Sequence, residues 1–204
     1  MEVNDGFIKN IYRYCDLWCP RCSLRHRCEA AAGLVSLGKE EAHAYFRGLE
    51  LMPAALPDGF EAPISPDPDV MAHGDAIREK LRKLRRTGNP TLSDALETIE
   101  HFTMITPLKI IRSLAALSSC GREQQYDSQG SAKVALLALE RMARSWRLLV
   151  DAGCLTEAEV APFVAELNRL NRLVEYAAPD ARSFVRPGFD EPHDVMLLDT
   201  TSRH

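Results

Sequence analysis

The chain has 204 residues, a formal net charge of −4 and 46% apolar residues. That is long enough to bury a core without help from metal staples, and the acidic balance is not the electrostatic footprint of a general nucleic-acid binder. No run of about 18 apolar residues reads as a membrane span.

Aromatics make up only 7%, while Ala and Leu are abundant. Both lose little on entering a helix, so the composition favours α structure. Met1 to Asn10 lacks a basic region followed by an apolar run, and no secretory signal is read there. The expected address is the cytoplasm, where thiols stay reduced.

In chain order, residues 1–50 read as a cysteine-rich segment with short helices. One short helix leaves the cysteines through Glu29-Ala30-Ala31-Ala32, and a second is expected from Lys39 to Leu51. Residues 51–70 form a connector, because Pro53, Pro57, Pro63, Pro66 and Pro68 remove backbone donors and fix φ. A basic amphipathic helix is expected from Asp75 to Arg86, with Ile77, Leu81 and Leu84 on one face. Thr87-Gly88-Asn89-Pro90 is its stop signal.

The next helix is expected to start at Thr91 or Ser93 and to kink or split at Pro107. A polar loop is expected over Ser118–Gln129. Ser131–Ala152 then reads as a central helix, apolar on most sides, with Glu140, Arg144, Arg147 and Asp151 as its polar stripe. Gly153 suits the position just past its end. Thr156-Glu157-Ala158-Glu159 is a capping box, although Pro162 argues for a later helix start. The tail, residues 178–204, reads as irregular. The expected fold is all-α: a bundle of three to four main helices over residues 71–177, with an N-terminal cysteine-rich metal-binding segment.

The strongest chemical signal is Cys15, Cys19, Cys22 and Cys28, spaced C-x3-C-x2-C-x5-C. Four thiolates in one short wrap suit zinc or an iron–sulfur cluster. Structural zinc commonly uses two C-x2-C knuckles separated by a longer loop. One continuous wrap with unequal spacers is closer to cluster-binding loops. Arg21, Arg25 and Arg27 add positive charge beside a centre that would carry negative charge. A 4Fe–4S cluster is therefore placed ahead of Zn, and His26 is read as exposed rather than as a ligand.

Cys19-x2-Cys22-x5-Cys28, followed by Glu-Ala-Ala-Ala, resembles the 4Fe–4S loop of base-excision DNA glycosylases. It is also similar to the cysteine segment of WhiB-like transcription factors. The resemblance covers about ten residues. It implies cluster binding, not membership: the first cysteine stands nearer than in those families, and no helix–hairpin–helix motif precedes it. Cys15-x3-Cys19-x2-Cys22 also matches the spacing of radical-SAM cluster motifs. Their barrel needs strands that this chain lacks, and Cys28 would fill the open iron position.

Elsewhere, Glu97, Glu100 and His101 share one helix but lack the paired Glu-x-x-His motifs of a di-iron bundle. They read as surface ion pairs. Lys109, Arg112, Asp127, Lys133 and Arg141 read as a structural polar network rather than an anion pocket. Cys120 and Cys154 are isolated and read as small buried or loop residues.

No catalytic constellation is complete, and the reading leans to a non-enzymatic metal-binding protein with a redox-sensing, regulatory or structural role. An oxidoreductase component using the cluster for electron transfer and a zinc-stapled interaction protein are the alternatives. The runs Lys9–Arg27 and Arg78–Arg86 keep a nucleic-acid-associated regulator in view, though as solvated faces they are better explained. A protein partner is left open, and no membrane is expected.

Overall fold

The computed structural model describes residues 3–4, 6–8, 11–34, 68–115 and 122–190. Cys120 and the expected Lys39–Leu51 helix lie outside them, as do the connector prolines before Pro68. Two antiparallel strands of two residues each, β1 (Val3–Asn4) and β2 (Phe7–Ile8), open the chain. Such a short ribbon carries no alternating pattern long enough to read in sequence. Three 3-10 turns follow, Ile11–Tyr14, Cys19–Arg21 and Arg25–Arg27, and then the short helix α1 (Glu29–Leu34).

The rest is an all-α bundle of four long helices: α2 (Pro68–Arg85), α3 (Pro90–Ala115), α4 (Arg122–Asp151) and α5 (Glu157–Ala177). No helix among the described residues is long and apolar enough to cross a membrane.

Helix α2 begins at Pro68, seven residues before the expected start. Proline's fixed φ suits the first turn of a helix, where its missing donor costs nothing. The cap of α3 is Asn89, whose Oδ1 accepts from the amides of Thr91 at 3.0 Å and Leu92 at 3.3 Å. Asn89 thus takes the role expected of Thr91 or Ser93, and Pro90 takes the first helical position. The helix runs on through Pro107 instead of splitting. An interior proline costs about 3 kcal/mol. Here Phe102, Ile110 and Leu114, on either side of it, are all fully buried, and their packing outweighs that cost.

Helix α4 is central and packs against both α3 and α5. Ala135, Leu136, Leu139, Met142, Trp146 and Leu149 are buried along it, while Arg144, Arg147 and Asp151 are exposed. It starts at Arg122, so much of the expected polar loop is helical. The missing signal was tertiary. Gly130 lowers helix propensity, but the ring of Tyr14 lies on it: a Cβ there would stand 2.5 Å from Tyr14 Cδ1 and 2.8 Å from Cε1.

Gly153, at φ +68°, ends the helix as its sequence position suggests. Helix α5 starts at Glu157 despite Pro162, because both halves of the Thr156/Glu159 capping box form. Residues 178–190 have no regular structure, yet they are docked. Lys133 donates to the carbonyls of Arg182 at 2.7 Å and Phe184 at 3.0 Å, and Ala178 and Ala181 join the main core.

Gly130→Ala should destabilise by about 1–2 kcal/mol, because overpacking against Tyr14 exceeds the helix-propensity gain; a denaturant melt with a neutral or favourable change would place Tyr14 elsewhere. Glu159 is held at about 2, first by the Lys80 ammonium and then by the Thr156 amide and hydroxyl. A depressed carboxyl stabilises above its ordinary value of 4.5 and loses that contribution as pH falls towards 2. The start of α5 should therefore lose hydrogen-exchange protection across that window, and Glu159→Gln should flatten the dependence.

Candidate metal centre

The four cysteines do not sit on one element. Cys15 follows the first 3-10 turn, Cys19 opens the second, Cys22 follows it, and Cys28 leads into α1. What brings them together is a tight reversal at Asp16-Leu17-Trp18. Asp16 Oδ1 accepts from the Trp18 amide at 3.2 Å, and Leu17 takes φ +55°. A non-glycine residue in that region costs roughly 1–2 kcal/mol, which surrounding contacts must offset. Leu17 is buried among the cysteines and supplies such contacts. At the other end Cys28 bridges to Ile8 of β2, and its carbonyl receives the Ala32 amide at 3.0 Å.

All four cysteines line one small pocket of about 10 Å³, together with Leu24, Arg25 and Phe189. Cys15 and Cys28 are buried, while Cys19 and Cys22 are partly exposed. None is in a disulfide. Among the described residues, no group of three or more Cys, His, Asp or Glu side chains is already arranged as a metal cage.

The surroundings act on the thiols in two opposing ways. Burial pushes Cys15 up to about 12, opposed by the Lys109 ammonium and the Leu17 amide. Burial likewise raises Cys19 to about 11, helped by Cys28 and Cys22 and opposed by Arg25. Cys22 is raised for the same reason, with the amides of Leu24 and Arg25 pulling it down. At neutral pH the uncoordinated thiols of Cys15, Cys19 and Cys22 are therefore protonated and poor nucleophiles. Yet three backbone amides and two cations, one of them the fully buried Lys109, favour the thiolate. Donors and cations around a sulfur ring are what an anionic metal–thiolate centre requires.

The cysteine segment has a small core of its own, Ile8, Ile11, Cys15, Leu17, Leu24, Cys28, Ala30 and Ala31, separate from the bundle core. Polar contacts fasten it to the bundle. Asp127 of α4 accepts from Arg13 at 2.9 Å, Tyr14 at 3.1 Å and Arg112 at 3.2 Å. Asp16 accepts from Arg141 at 2.8 Å. Trp18 stacks on His101 with ring centres 4.5 Å apart, and the Arg21 guanidinium lies 4.0 Å over the same indole. Arg21 also reaches Asp94, and Glu97 at 2.7 Å.

The residues singled out elsewhere are thereby placed. Glu97 pairs with Arg21, Glu100 with Arg85, and His101 Nε2 meets the Asp16 carbonyl at 2.8 Å. They serve packing and docking. Asp127 and Arg112 pair as part of a polar network whose other half is the cysteine segment, which no helical periodicity could reveal; Arg141 stands apart from it and meets Asp16. His26 is exposed. Cys154 lies in the turn after α4, half-buried and remote from the other four in the fold.

No protein-family model, no curated protein and no solved structure matches the chain.

Asp127→Ala should cost about 1–3 kcal/mol, since it strands three partly buried donors at once. The loss should fall on the junction: hydrogen exchange should rise first in residues 11–34. Uniform loss across α3–α5 with the segment still protected would contradict this arrangement.

Proposed function

We propose that this protein is a metal-binding protein whose Cys15, Cys19, Cys22 and Cys28 together hold a 4Fe–4S cluster in a redox-sensing, regulatory or structural role. The observation that carries the reading is the common pocket: four cysteines outside any disulfide, drawn from a stretch of fourteen residues, line one small space together with Arg25. Their chemistry fits, because soft thiolates select clusters and zinc over hard cations. Cys19 and Cys22 lie towards solvent and Cys15 and Cys28 away from it. An oxidant would reach one side of the site first, which favours sensing over a sealed structural role.

Zinc is the second reading, and the narrowness of the pocket favours it. A space of about 10 Å³ holds little more than one water-sized sphere. The thiols are not already set as a cage among the described residues, so either group requires them to rearrange, and a single Zn ion, bound at about 2.3 Å from each sulfur, is the smaller guest. Either group would supply four metal–thiolate bonds to a segment with a meagre core, so metal binding and local folding would be coupled.

The observations at the site carry the metal-binding reading and not specifically an oxidoreductase role. A nucleic-acid role weakens too. Within the basic run of α2, Arg78 pairs with Asp75, Arg82 with Glu79, Lys80 with Glu159 and Arg85 with Glu100.

Anaerobic purification followed by an absorption spectrum and iron, sulfide and zinc analysis tests the proposal. The expected result is four irons and four sulfides per chain; one zinc selects the second reading, and no stoichiometric metal defeats both. Cys22→Ser should abolish metal binding and release hydrogen-exchange protection in residues 11–34, while α3–α5 stay protected. Loss of protection throughout the bundle would mean that the centre is integral to the whole fold.

A further inference from the structure

Beside the thiol pocket lies a second, larger cavity of about 480 Å³. Four separate stretches of chain meet there. The cysteine segment contributes Arg21 and the partly exposed Cys22, α3 contributes Thr98, α4 contributes Arg141, Arg144 and Ser145, and the docked C-terminal turn contributes Arg186. Its volume is that of a small-molecule site. Its walls carry four guanidinium groups and a single carboxylate, Asp16.

Each arginine also has a carboxylate neighbour, and the strength of each pairing decides what remains for a ligand. Arg186 is committed, with Nε and Nη2 both engaged by Asp190. Arg21 is held by Asp94 and Glu97. Arg141 donates Nη1 to Asp16, and a guanidinium has five donors. Arg144 is the freest: its side chain is 77% exposed, and Glu140 stands 3.6 Å away while engaged by Arg182 at 2.6 Å. Arg141 shares a helix face with both Arg144 and Ser145, three and four residues on, and all three line the cleft. Two incompletely used guanidinium forks and a hydroxyl lining the same cleft suit the oxygens of a tetrahedral dianion. Of the two aromatic rings lining the cleft, Trp18 and Phe189, Trp18 is already engaged by His101 and Arg21.

We infer that this cleft binds a small phosphomonoester, its phosphate held by Arg141 and Arg144 with the hydroxyls of Ser145 and Thr98 in reach. The cleft stands on the bundle and the docked segment, and does not depend on the identity of the metal. Cys22 lines both the cleft and the thiol pocket. A bound phosphomonoester would therefore cover the more accessible side of the cysteine centre.

Calorimetric titration of the full chain as purified, with metal content measured on the same sample, tests this. The probes are inorganic phosphate, adenosine monophosphate and citrate. Saturable binding of phosphate or the monophosphate, weakened about tenfold or more by Arg144→Ala, is expected from the loss of one charge-assisted donor pair. Arg144→Lys should recover part of it. Arg144 is exposed enough that neither variant threatens the fold. No binding of any probe at millimolar concentration, binding of citrate alone, or binding indifferent to Arg144→Ala each overturns the assignment. Because metal is counted separately, an absent cleft ligand and an absent metal centre give different results.

Discussion

The carboxylate of Asp127, on the second turn of α4, holds the cysteine segment in place. It gathers Arg13 and Tyr14 from the segment and Arg112 from α3 around one side chain. Burial and the Asp127 charge keep the Tyr14 phenol protonated and donating. With the phenol fixed, the ring settles over Gly130, the position on α4 where a side chain would block it. A second set of contacts, Arg141 to Asp16 and Trp18 on His101, fastens the part of the segment that leads into the cysteines. The segment's own core is too small to set that position alone.

The geometry around the cysteines combines a cost with its compensation. Burial raises the thiols of Cys15, Cys19 and Cys22, yet amides, Arg25 and the ammonium of Lys109 favour the charged form. A site built only for inert packing has no need of the second feature. The positive φ at Leu17 points the same way: backbone strain persists where the surroundings over-determine it, and here it turns Cys15 and Cys19 towards a common space. The C-terminal turn then closes the pocket with Phe189, which explains why an irregular tail is nonetheless fastened by Lys133 and Arg182.

Much of the bundle was legible because helices advertise themselves locally. The apolar stripes of α3, α4 and α5, the Thr156 capping box and the Gly153 terminator all depend on residues within a few positions of one another. The misread boundaries have one cause. Pro68, Asn89 and Gly130 are ambiguous locally, and their roles as first-turn proline, cap and aromatic seat are settled by what lies next to them in space. The ends of α2, α3 and α4 shifted accordingly.

The sequence by itself determined the helical class and the cysteine spacing, since both rest on short-range periodicity and on ligand chemistry compressed into fourteen residues. Only the tertiary structure decided that the four thiols face one pocket and that Asp16 and Asp127 anchor them to α4. The same is true of the cleft where Arg21, Arg141, Arg144 and Arg186 meet at Cys22. Those partners stand more than a hundred residues apart in several cases, as with Asp16 and Arg141. Charged side chains on a helix surface look alike in sequence whether they face water or each other, and chain folding alone distinguishes the two.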